Sequence, residues 1–425
     1  SSIDFAQANQ LELCYEAFSC DRCYRTFFSV ESDDCRNVWF SRECYNCTDC
    51  FGCINLRHKQ YFIFNEPHTK EEYEAKIKEF NLGSYASLTA IQDRVREFWR
   101  KFPFRYMHGT HNENVVGEYV YHSKNAYYCY QSDKEVKDVK YCQRVVNGVA
   151  NSYDYTHWGD NSELMYEDLV CGENCRNVKF SIECWPACED VEYSVHCHSS
   201  VHLFGCVGLK KKQYCIFNKQ YSKGEYEKLR AKIIEHMNKM PYADTKARAY
   251  KYGEFFPPEL SPLAYHETVA QDFFPLEKEK AAAQGFFWRD LEMHEYAITL
   301  LAKDLPDHIN DTPGNIVTEI ISCGTCERAY RILPQELEFY RQIGIPLPRF
   351  CHVCRYAKRR ASINPPRWYR RMCMCCGPGG NEGPYRNAVE HLHGESRCPN
   401  EFETPYAPDR PEIVYCEQCY NAEVA

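Results

Sequence analysis

Residues 35–44 read Cys35-Arg-Asn-Val-Trp-Phe-Ser-Arg-Glu-Cys44, and residues 175–184 repeat them as Cys175-Arg-Asn-Val-Lys-Phe-Ser-Ile-Glu-Cys184. A second pair of blocks follows, since Phe51-Gly-Cys-Ile-Asn-Leu56 matches Phe204-Gly-Cys-Val-Gly-Leu209. The numbering offset between the copies is 140 for the first pair and 153 for the second, so the second copy is longer by 13 between its two blocks. An insertion of fixed size in a duplicated region indicates an added structural unit.

Shorter motifs inside the copies share one pattern, a turn residue followed by a short strand. They are Asn125-Ala-Tyr-Tyr128, Asp138-Val-Lys-Tyr141, Asn177-Val-Lys-Phe180 and Asp190-Val-Glu-Tyr193. The step from 125 to 138 is 13, and the step from 177 to 190 is the same. Short strands, turn residues between them and no helical period are typical of the stacked coils of a β-solenoid. A jelly roll or an irregular sandwich is the alternative.

Each copy is followed by a predicted helix that begins at a capping box. The boxes are Thr69-Lys-Glu-Glu72 and Ser222-Lys-Gly-Glu225, with a hydroxyl residue at the N-cap and Glu three residues later. A further helix is predicted over residues 88–101, and Pro103 stops it. We expect these helices to cap the ends of the repeats and to shield their open strand edges.

The overall composition restricts the class of protein. The chain of 425 residues has a formal net charge of −9, which argues against a protein that coats nucleic acid along its whole surface. No apolar run approaches the about 20 residues that cross a bilayer, so we predict no membrane partner. The 27 cysteines are an odd number, and their Cys-x-x-Cys spacings favour metal ligands in a reducing compartment over secreted disulfides. We therefore predict a cytoplasmic protein.

Two Cys-x-x-Cys knuckles in the C-terminal region predict a structural zinc site. Cys323-Gly-Thr-Cys326 and Cys351-His-Val-Cys354 are separated by 24 residues, and four thiolates in two such knuckles form a closed tetrahedral site. Cys416-Glu-Gln-Cys419 is a further knuckle, and it predicts a second zinc ion. The candidates for its remaining ligands are Cys373, Cys375, Cys376 and Cys398, with His391 and His393 nearby.

The cysteines of the repeats have a different interpretation. Cys44, Cys47, Cys50 and Cys53 lie three residues apart, a spacing that superficially resembles iron–sulfur ferredoxins. The second copy matches only the first and last of them, with Cys184 and Cys206. We therefore favour small apolar core residues, the environment in which free Cys is common, over a metal or a redox cluster. Cys20 and Cys23 are interpreted in the same way.

A basic segment overlaps the first zinc site. Between residues 349 and 371 there is no Asp or Glu, and aromatic residues alternate with the cations. Guanidinium groups and aromatic rings on a rigid knuckle suit phosphate contacts and base stacking, so we predict a nucleic-acid surface. One alternative is an acidic protein surface as the partner, and the other is a solvated basic face that pairs with carboxylates of the same chain. The predicted nucleic-acid-binding residues are Arg349, Arg355, Lys358, Arg359, Arg360, Arg367, Trp368, Arg370 and Arg371.

Two segments carry a resemblance to a known family. Cys323-Gly-Thr-Cys326, the following Pro334-Gln-Glu-Leu-Glu-Phe-Tyr340 and Pro348-Arg-Phe-Cys-His-Val-Cys-Arg355 resemble one bacterial zinc ribbon. The segment Tyr406-Ala-Pro-Asp-Arg-Pro-Glu-Ile-Val-Tyr-Cys-Glu-Gln-Cys-Tyr420 resembles a second ribbon type. The order of duplicated Cys-rich repeats and two ribbons is similar to that of large uncharacterised zinc-ribbon proteins of Candidate Phyla Radiation bacteria, over nearly the whole chain. The resemblance implies no established activity.

The resemblance also implies a ligand set for the second zinc. In simpler members a knuckle precedes the Tyr-Ala-Pro segment, with its second cysteine eight residues before the Tyr, the position of Cys398 here. The knuckle would then be interrupted by a Gly- and His-containing loop over residues 377–397. The implied site is Cys398, Cys416 and Cys419 with one of Cys373, Cys375 or Cys376; Cys373 is favoured, and His393 is an alternative.

Together these patterns predict a mainly β fold with helical caps, in which duplicated β-solenoid-like Cys-rich repeats precede two small zinc ribbons. The predicted segments are a first Cys-rich β repeat (1–66), a helical connector (67–110), a second Cys-rich β-solenoid-like repeat (111–220), a capping helix (221–240), a Pro-rich linker with a short helix (241–315), zinc ribbon 1 (316–362) and zinc ribbon 2 with an inserted loop (363–425). Because the chain begins with Ser1, and members of the resembled family are mostly longer at the N-terminus, we expect a first repeat that is truncated there.

The sequence contains no phosphate loop, nucleophile elbow, His-Glu-x-x-His motif or dinucleotide fingerprint, and no small-molecule substrate is evident. We predict a non-enzymatic protein with two structural Zn²⁺ ions that docks on RNA or a nucleoprotein, with the ribosome as a natural target. A structural or assembly protein that contacts other proteins or copies of itself is the alternative. A carbohydrate-active enzyme is the third hypothesis. Its candidate carboxylates are Asp154, Asp160, Glu163, Glu167 and Asp168. The simpler interpretation of these five residues is that they are exposed carboxylates in turns.

Overall fold

The fold combines many short strands, arranged in several small sheets, with a smaller number of helices. It is known from a computed structural model that describes residues 2, 4, 10–290, 296–376, 385–394 and 396–424. The predicted sheet-rich architecture with interspersed helices is confirmed at this level.

The first repeat is a parallel sheet that ends in a short antiparallel strand. Its strands are β1 (Tyr24–Phe27), β2 (Arg36–Trp39), β3 (Thr48–Phe51), β4 (Gln60–Ile63) and β5 (Glu66–Pro67). Parallel neighbours keep one constant offset, as Tyr24 pairs with Arg36 and Arg36 with Thr48. Single bridges outside the strands keep the same offset, as Val30 pairs with Arg42. The repeat is therefore a stack of units of equal length.

The backbone of each unit has a period of three residues. Every third residue has a left-handed φ, for example Glu43 at 51° and Asn46 at 52°. In the middle of the repeat the residue that follows each of them points inward, and Cys44 and Cys47 are fully buried. Because the chain turns at every third residue, inward side chains crowd together and small residues such as Cys and Ser fill the interior.

The repeat cysteines belong to this core and hydrogen bond to the backbone. The Cys35 thiol lies 3.3 Å from the carbonyl oxygens of both Asp33 and Cys44. Burial raises the pKa of Cys14 to about 11, which keeps this thiol protonated. Within the described part of the chain, no repeat cysteine belongs to a group of side chains spaced to hold a metal ion. These contacts support the core interpretation.

Two helices and a short strand connect the repeats: α1 (Lys70–Glu79), α2 (Tyr85–Trp99) and β6 (Pro103–Arg105). The capping box predicted for α1 is present, because Thr69 Oγ1 accepts from the Glu72 N–H at 3.2 Å and the Glu72 carboxylate accepts from the Thr69 N–H at 2.9 Å. This helix packs against β4. α2 begins three residues before the predicted start, because the side chain of Ser84 caps it.

The second repeat has the same parallel arrangement over more units. Its strands and the helix that follows are β7 (Glu113–Val120), β8 (Ser123–Ser132), β9 (Val136–Lys140), β10 (Ala150–Tyr153), β11 (Arg176–Lys179), β12 (Glu189–Glu192), β13 (Val201–Phe204), β14 (Gln213–Ile216), β15 (Lys219–Gln220) and α3 (Lys223–Lys239). The offset in residue number between paired strands is not constant here. It is longer by one residue between Arg176 and Glu189 than between Val201 and Gln213. The residues that the second copy has gained include β12, which lies between β11 and β13. α3 starts at the predicted capping box and packs against β14.

The remaining elements form small modules that fold back onto the repeats. They are β16 (Tyr242–Ala243), β17 (Ala249–Tyr250), α4 (Val269–Phe273), α5 (Lys278–Ala283), β18 (Leu300–Leu301), β19 (Ile321–Ser322), β20 (Ala329–Tyr330), α6 (Pro334–Ile343), α7 (His352–Ala361), β21 (Tyr369–Met372), β22 (Glu401–Thr404), β23 (Ile413–Tyr415) and α8 (Glu417–Val424). β23 pairs in parallel with β6, and one core cluster joins the first repeat, α2 and the first ribbon. Both ribbons are therefore anchored on the first half of the chain.

Replacing Gly159 by Ala is expected to destabilise the protein by about 1–3 kcal/mol, the range for overpacking. A Cβ at this position would lie 1.8 Å from the carbonyl oxygen of Val146 in the preceding unit, and a backbone atom cannot easily move aside. Urea unfolding measures the change. The control Gly224→Ala lies in α3, where a Cβ has no neighbour within 4 Å, so it should be neutral or slightly stabilising. Unchanged stability of Gly159→Ala would contradict the close stacking of units.

Candidate metal centres and basic cleft

The first metal centre consists of Cys323, Cys326, Cys351 and Cys354, whose sulfur atoms all lie within 4.8 Å of one another. Cys323 follows β19 and Cys326 precedes β20, while Cys351 is the N-cap of α7 and Cys354 lies in its first turn. The sulfurs of Cys326 and Cys351 are 3.6 Å apart. Metal–sulfur bonds of about 2.3 Å in a tetrahedron separate two sulfurs by about 3.8 Å. The geometry therefore suits a metal ion.

The local backbone prepares the first centre for metal binding. Burial would raise the pKa of Cys323, but backbone N–H groups, including those of Cys326 and Cys351, lower it to about 6. The Cys351 N–H donates to Cys323 Sγ at 3.3 Å. The pKa of Cys323 thus favours the thiolate, which is the form that binds metals.

The second metal centre consists of Cys373, Cys398, Cys416 and Cys419, again with all sulfurs within 4.8 Å. Cys373 follows β21, Cys398 precedes β22, and the other two flank the start of α8. The sulfurs of Cys398 and Cys416 are 3.9 Å apart, and the Cys416 N–H donates to Cys373 Sγ at 3.2 Å. The structure thus brings together the ligand set that the resemblance implied, with Cys373 as the fourth member.

The alternative ligands named from the sequence lie elsewhere. Cys375 and His393 form a separate group with His391, and this group shares only Cys419 with the second centre. Cys376 is partly buried, and its thiol lies 3.6 Å from the Met374 carbonyl oxygen. Among the described side chains, Cys376 belongs to no group with metal-binding geometry.

Five arginines of the basic segment serve internal contacts. Arg355 bonds to the carboxylates of Asp4 at 3.0 Å and Glu336 at 3.2 Å. Arg359 pairs with Asp4 and Glu16, each at 3.3 Å. The others are Arg349 (donating to the Ala302 and Pro306 carbonyls), Arg360 (over the Phe273 ring) and Arg371 (donating to the Ala407 carbonyl). Arg349, Arg355, Arg359 and Arg360 thus connect the first ribbon to other parts of the chain, whereas Arg371 contacts its own ribbon.

The other predicted nucleic-acid residues are more accessible. Lys358, Arg367 and Arg370 are exposed, and Arg370 also pairs with Glu401. Trp368 is partly buried, and its ring lies 6.2 Å from that of Tyr128. The structure therefore does not bring the nine predicted residues together on one free face.

Two of the predicted residues, Lys358 and Arg359, line a cleft of about 420 Å³ between the first repeat, α2 and the two ribbons. Its cationic side chains come from Arg42, Arg96, Arg100, Lys358, Arg359 and Arg410, against the carboxylates of Glu16 and Glu412. Aromatic rings form part of its wall, namely those of Phe18, Phe28, Phe40, Trp99 and Phe104. The indole Nε1 of Trp99 is buried and has no described hydrogen-bond acceptor. This basic cleft can receive an anionic ligand that carries an aromatic ring.

The acidic stretch of the second repeat has structural contacts. The Asp168 side chain is almost fully buried and accepts from the backbone N–H groups of Ser181 and Tyr166. The Trp158 indole donates to Asp160 at 3.0 Å. Partial burial, and the charge of Asp154 in the preceding unit, raise the pKa of Glu167. No described contact gathers the five carboxylates around a common point.

Sequence analysis did not single out Glu31, Glu43 and His108, which the structure places together in the interior. The two glutamates are one repeat unit apart, each in a Ser-x-Glu sequence. The constant offset of the first repeat would have aligned them on one edge, but nothing in the sequence places His108 opposite that edge.

Comparison with protein families, curated proteins and solved structures found no match to this chain. None of the helices in the described ranges combines the length and apolar character that a bilayer crossing requires.

Proposed function

We propose that both four-cysteine centres hold structural Zn²⁺. Sulfur separations of 3.6 and 3.9 Å support tetrahedral coordination, and four protein ligands leave no position open for catalysis. Thiolate sites also accept iron or copper, so the metal must be measured in protein purified from its own cells. Zinc in both centres is the expected result, and iron in either would contradict the assignment.

The parallel ladders are, in this proposal, the walls of two β-solenoids. The regular offsets between paired strands, the inward small side chains and the helices packed on β4 and β14 support that interpretation. All 27 cysteines lie in the described residues and are unpaired, which suits a reducing compartment such as the cytoplasm. The repeats would then act as a rigid scaffold.

On this scaffold, we propose a non-enzymatic docking function directed at RNA or a ribonucleoprotein. The observation that carries the proposal is the basic cleft, which six cations line in a chain of net charge −9. Four of them pair with carboxylates, namely Arg42 with Glu31, Arg96 with Asp93, Arg359 with Glu16 and Arg410 with Glu412, whereas Arg100 and Lys358 form no ion pair among the described side chains. Lys358 and Arg359 of the basic segment belong to it, whereas Arg349, Arg355 and Arg371 do not. Cations for phosphates and aromatic rings for stacking are the elements of single-strand recognition.

Reversing two exposed charges of the cleft, with Arg100→Glu and Lys358→Glu, is expected to weaken RNA binding at least about tenfold at low salt. Neither residue forms an ion pair among the described side chains, and Lys358 donates to Gln92 Oε1 at 3.5 Å, so the effect on the fold should be small. The measurement is fluorescence anisotropy with a short labelled single-stranded RNA over a series of salt concentrations. The variant should also show a shallower salt dependence, because fewer counterions are released.

The control for this experiment is Lys228→Glu with Lys232→Glu on α3, which changes the net charge equally at exposed positions outside the cleft. It should bind RNA nearly as well as the wild type. Equal losses in both variants would mean that only net charge matters. Undiminished binding by the cleft variant would refute the cleft as the RNA site.

A second candidate function is assembly through the second repeat. Tyr141, Tyr153 and Tyr166 lie on successive units and are 49, 49 and 36% exposed, which leaves an aromatic surface uncovered. Aromatic residues are enriched at protein interfaces, and a second copy of the chain is the simplest partner. Tyr141→Ser with Tyr153→Ser should then convert a dimer to a monomer in sedimentation, while the exposed linker control Leu260→Ser should not. A monomeric wild type would exclude self-assembly.

A further inference from the structure

The second ribbon contains another ligand group beside its four-cysteine centre. Cys375, His391, His393 and Cys419 place their ligand atoms within 4.8 Å of one another. His391 Nδ1 lies 3.7 Å from Cys375 Sγ, and His393 Nε2 lies 3.4 Å from Cys419 Sγ. Zinc bonds of about 2.3 Å to sulfur and about 2.0–2.1 Å to nitrogen separate the two donors by about 3.5 Å in a tetrahedron. Both distances agree with a shared metal ion.

The outer contacts orient these ligands for a metal. His391 Nε2 lies 2.8 Å from the buried carboxylate of Glu423, and His393 Nδ1 lies 2.6 Å from the Ser396 carbonyl oxygen. Each ring therefore donates its N–H outward and directs the lone pair of its other nitrogen toward the thiols. A carboxylate or carbonyl partner of this kind accompanies nearly every metal-bound histidine. Asn387 also donates to Cys375 Sγ, at 3.0 Å.

We propose that the second ribbon holds two zinc ions bridged by the Cys419 thiolate. One ion is bound by the four-cysteine centre, and the other by Cys375, His391, His393 and the same Cys419 sulfur. The inference rests on the proposed zinc in the four-cysteine centre. A second ion would also explain why residues 377–397 are inserted in the knuckle, because this segment contains both histidines.

Cadmium NMR of the full chain, reconstituted with an NMR-active cadmium isotope, tests the bridge. Two resonances from the second ribbon should show scalar coupling to each other through the shared sulfur. Cys375→Ser should remove one resonance and the coupling, whereas the neighbouring control Cys376→Ser should keep both. A single uncoupled resonance from this ribbon, unaltered in Cys375→Ser, would overturn the bridge and leave the four-cysteine assignment intact.

A separate observation indicates a different kind of metal site beside the first repeat. Glu31 and Glu43 project from successive units, are 3 and 9% exposed, and face the buried ring of His108. His108 Nε2 lies 2.9 Å from Glu31 Oε2 and 3.6 Å from Glu43 Oε1. Ligands bound to one ion through bonds of about 2.1 Å are about 3.0–3.4 Å apart, so one cation can contact all three.

The neighbours of His108 hold its ring so that Nε2 faces the two glutamates. Nδ1 lies 2.6 Å from Glu118 Oε1, and Glu118 is held in place by Asn364 Nδ2 at 2.6 Å. Arg42 Nη2 lies 3.3 Å from Nε2, and a guanidinium can only donate. Glu31 Oε2, which can only accept, lies closer to Nε2 at 2.9 Å, so a metal ion bound at Nε2 would replace its proton.

The charge and the surroundings of the cluster are consistent with a bound cation. Glu31 Oε2 lies 2.9 Å from His108 Nε2 and 3.3 Å from Arg42 Nη2. With His108 neutral, as a metal ligand must be, Glu31, Glu43, Glu118 and Arg42 together carry two negative charges, which a divalent cation would neutralise. Buried charges are normally paired or bound to metals. Glu31 also lines a cavity of about 930 Å³, which gives an ion a path of entry.

We propose that Glu31, Glu43 and His108 bind a divalent cation that prefers oxygen and nitrogen donors, for which Mn²⁺ is a suitable probe. Titration of the zinc-loaded protein with Mn²⁺, followed by electron paramagnetic resonance, should show one tight site per chain. Glu43→Gln should weaken it at least about tenfold. The control Glu192→Gln, a buried carboxylate paired with Arg230 in the second repeat, should not.

If Glu43→Gln fails to fold, the wild type still decides the question. The electron spin echo of bound Mn²⁺ should be modulated by one directly coordinated nitrogen, that of His108. Absence of a stoichiometric site, or a site without nitrogen coupling, would overturn the proposal. So would equal Mn²⁺ affinity in folded Glu43→Gln and wild type.

Discussion

Replacing Cys351 by Ser is expected to remove one metal ion per chain and to unfold the first ribbon. The change leaves three thiolates in a centre whose metal supplies much of the folding free energy, since structural zinc binds small modules with about 10–16 kcal/mol. Loss of the ribbon also releases α7, which carries Arg355 and Arg359 against the first repeat. Metal content by mass spectrometry and urea unfolding measure both effects.

The control for this variant is Cys376→Ser. Cys376 is a partly buried cysteine of the second ribbon that belongs to neither four-cysteine centre. This variant should keep the full metal content. Its free energy of unfolding should differ from that of the wild type by only about 0.5 kcal/mol. A folded Cys351→Ser protein with undiminished metal content would refute the first centre.

Replacing Arg355 by Met is expected to lower the free energy of unfolding by about 3–5 kcal/mol, because it leaves the largely buried carboxylate of Glu336 without its cation and Asp4 with Arg359 alone. Arg355 is 9% exposed and lies between Asp4, Glu336 and the hydroxyl of Tyr340, the last at 2.8 Å. Urea unfolding measures the loss. The RNA affinity of the folded variant should not change, since Arg355 does not line the basic cleft.

The control is Arg367→Met, which removes an exposed cation from the same segment and should alter stability by no more than about 0.5 kcal/mol. Comparison of the two variants shows whether Arg355 stabilises the fold or binds RNA. If Arg355→Met lost RNA affinity without losing stability, the sequence prediction of a nucleic-acid residue would be right, and the stabilising role assigned from its contacts would be wrong.

Local patterns in the sequence predicted much of the architecture, because they are set by chemistry over short stretches of chain. The capping boxes at Thr69 and Ser222 gave the starts of α1 and α3, since an N-cap hydroxyl satisfies N–H groups only one turn away. The residues that the second copy has gained contain β12. The Cys-x-x-Cys spacings located the first four-cysteine centre and two ligands of the second, because a knuckle is itself a local structure, whereas Cys373 and Cys398 were implied by the family resemblance.

The role of the basic segment could not be predicted in this way. The absence of Asp and Glu from residues 349–371 suggested a free cationic face. The carboxylates that pair with Arg355 and Arg359 come from Asp4, Glu16 and Glu336, which are distant in the sequence. Whether an arginine faces solvent or a carboxylate depends on which elements pack against its helix, and that is a property of the tertiary structure.

Glu43 and Glu183 show that equivalent positions in the sequence can differ in burial in the tertiary structure. They occupy the same position in the duplicated motif, and both have a left-handed φ, of 51° for Glu43 and 52° for Glu183. Glu183 stays 45% exposed and pairs with His196. Glu43 is buried against His108, because the chain before β7 packs over that edge of the first repeat only. Repeats and ligand spacings follow from local rules, whereas burial, and with it a candidate cation site, follows from which distant segment covers the edge.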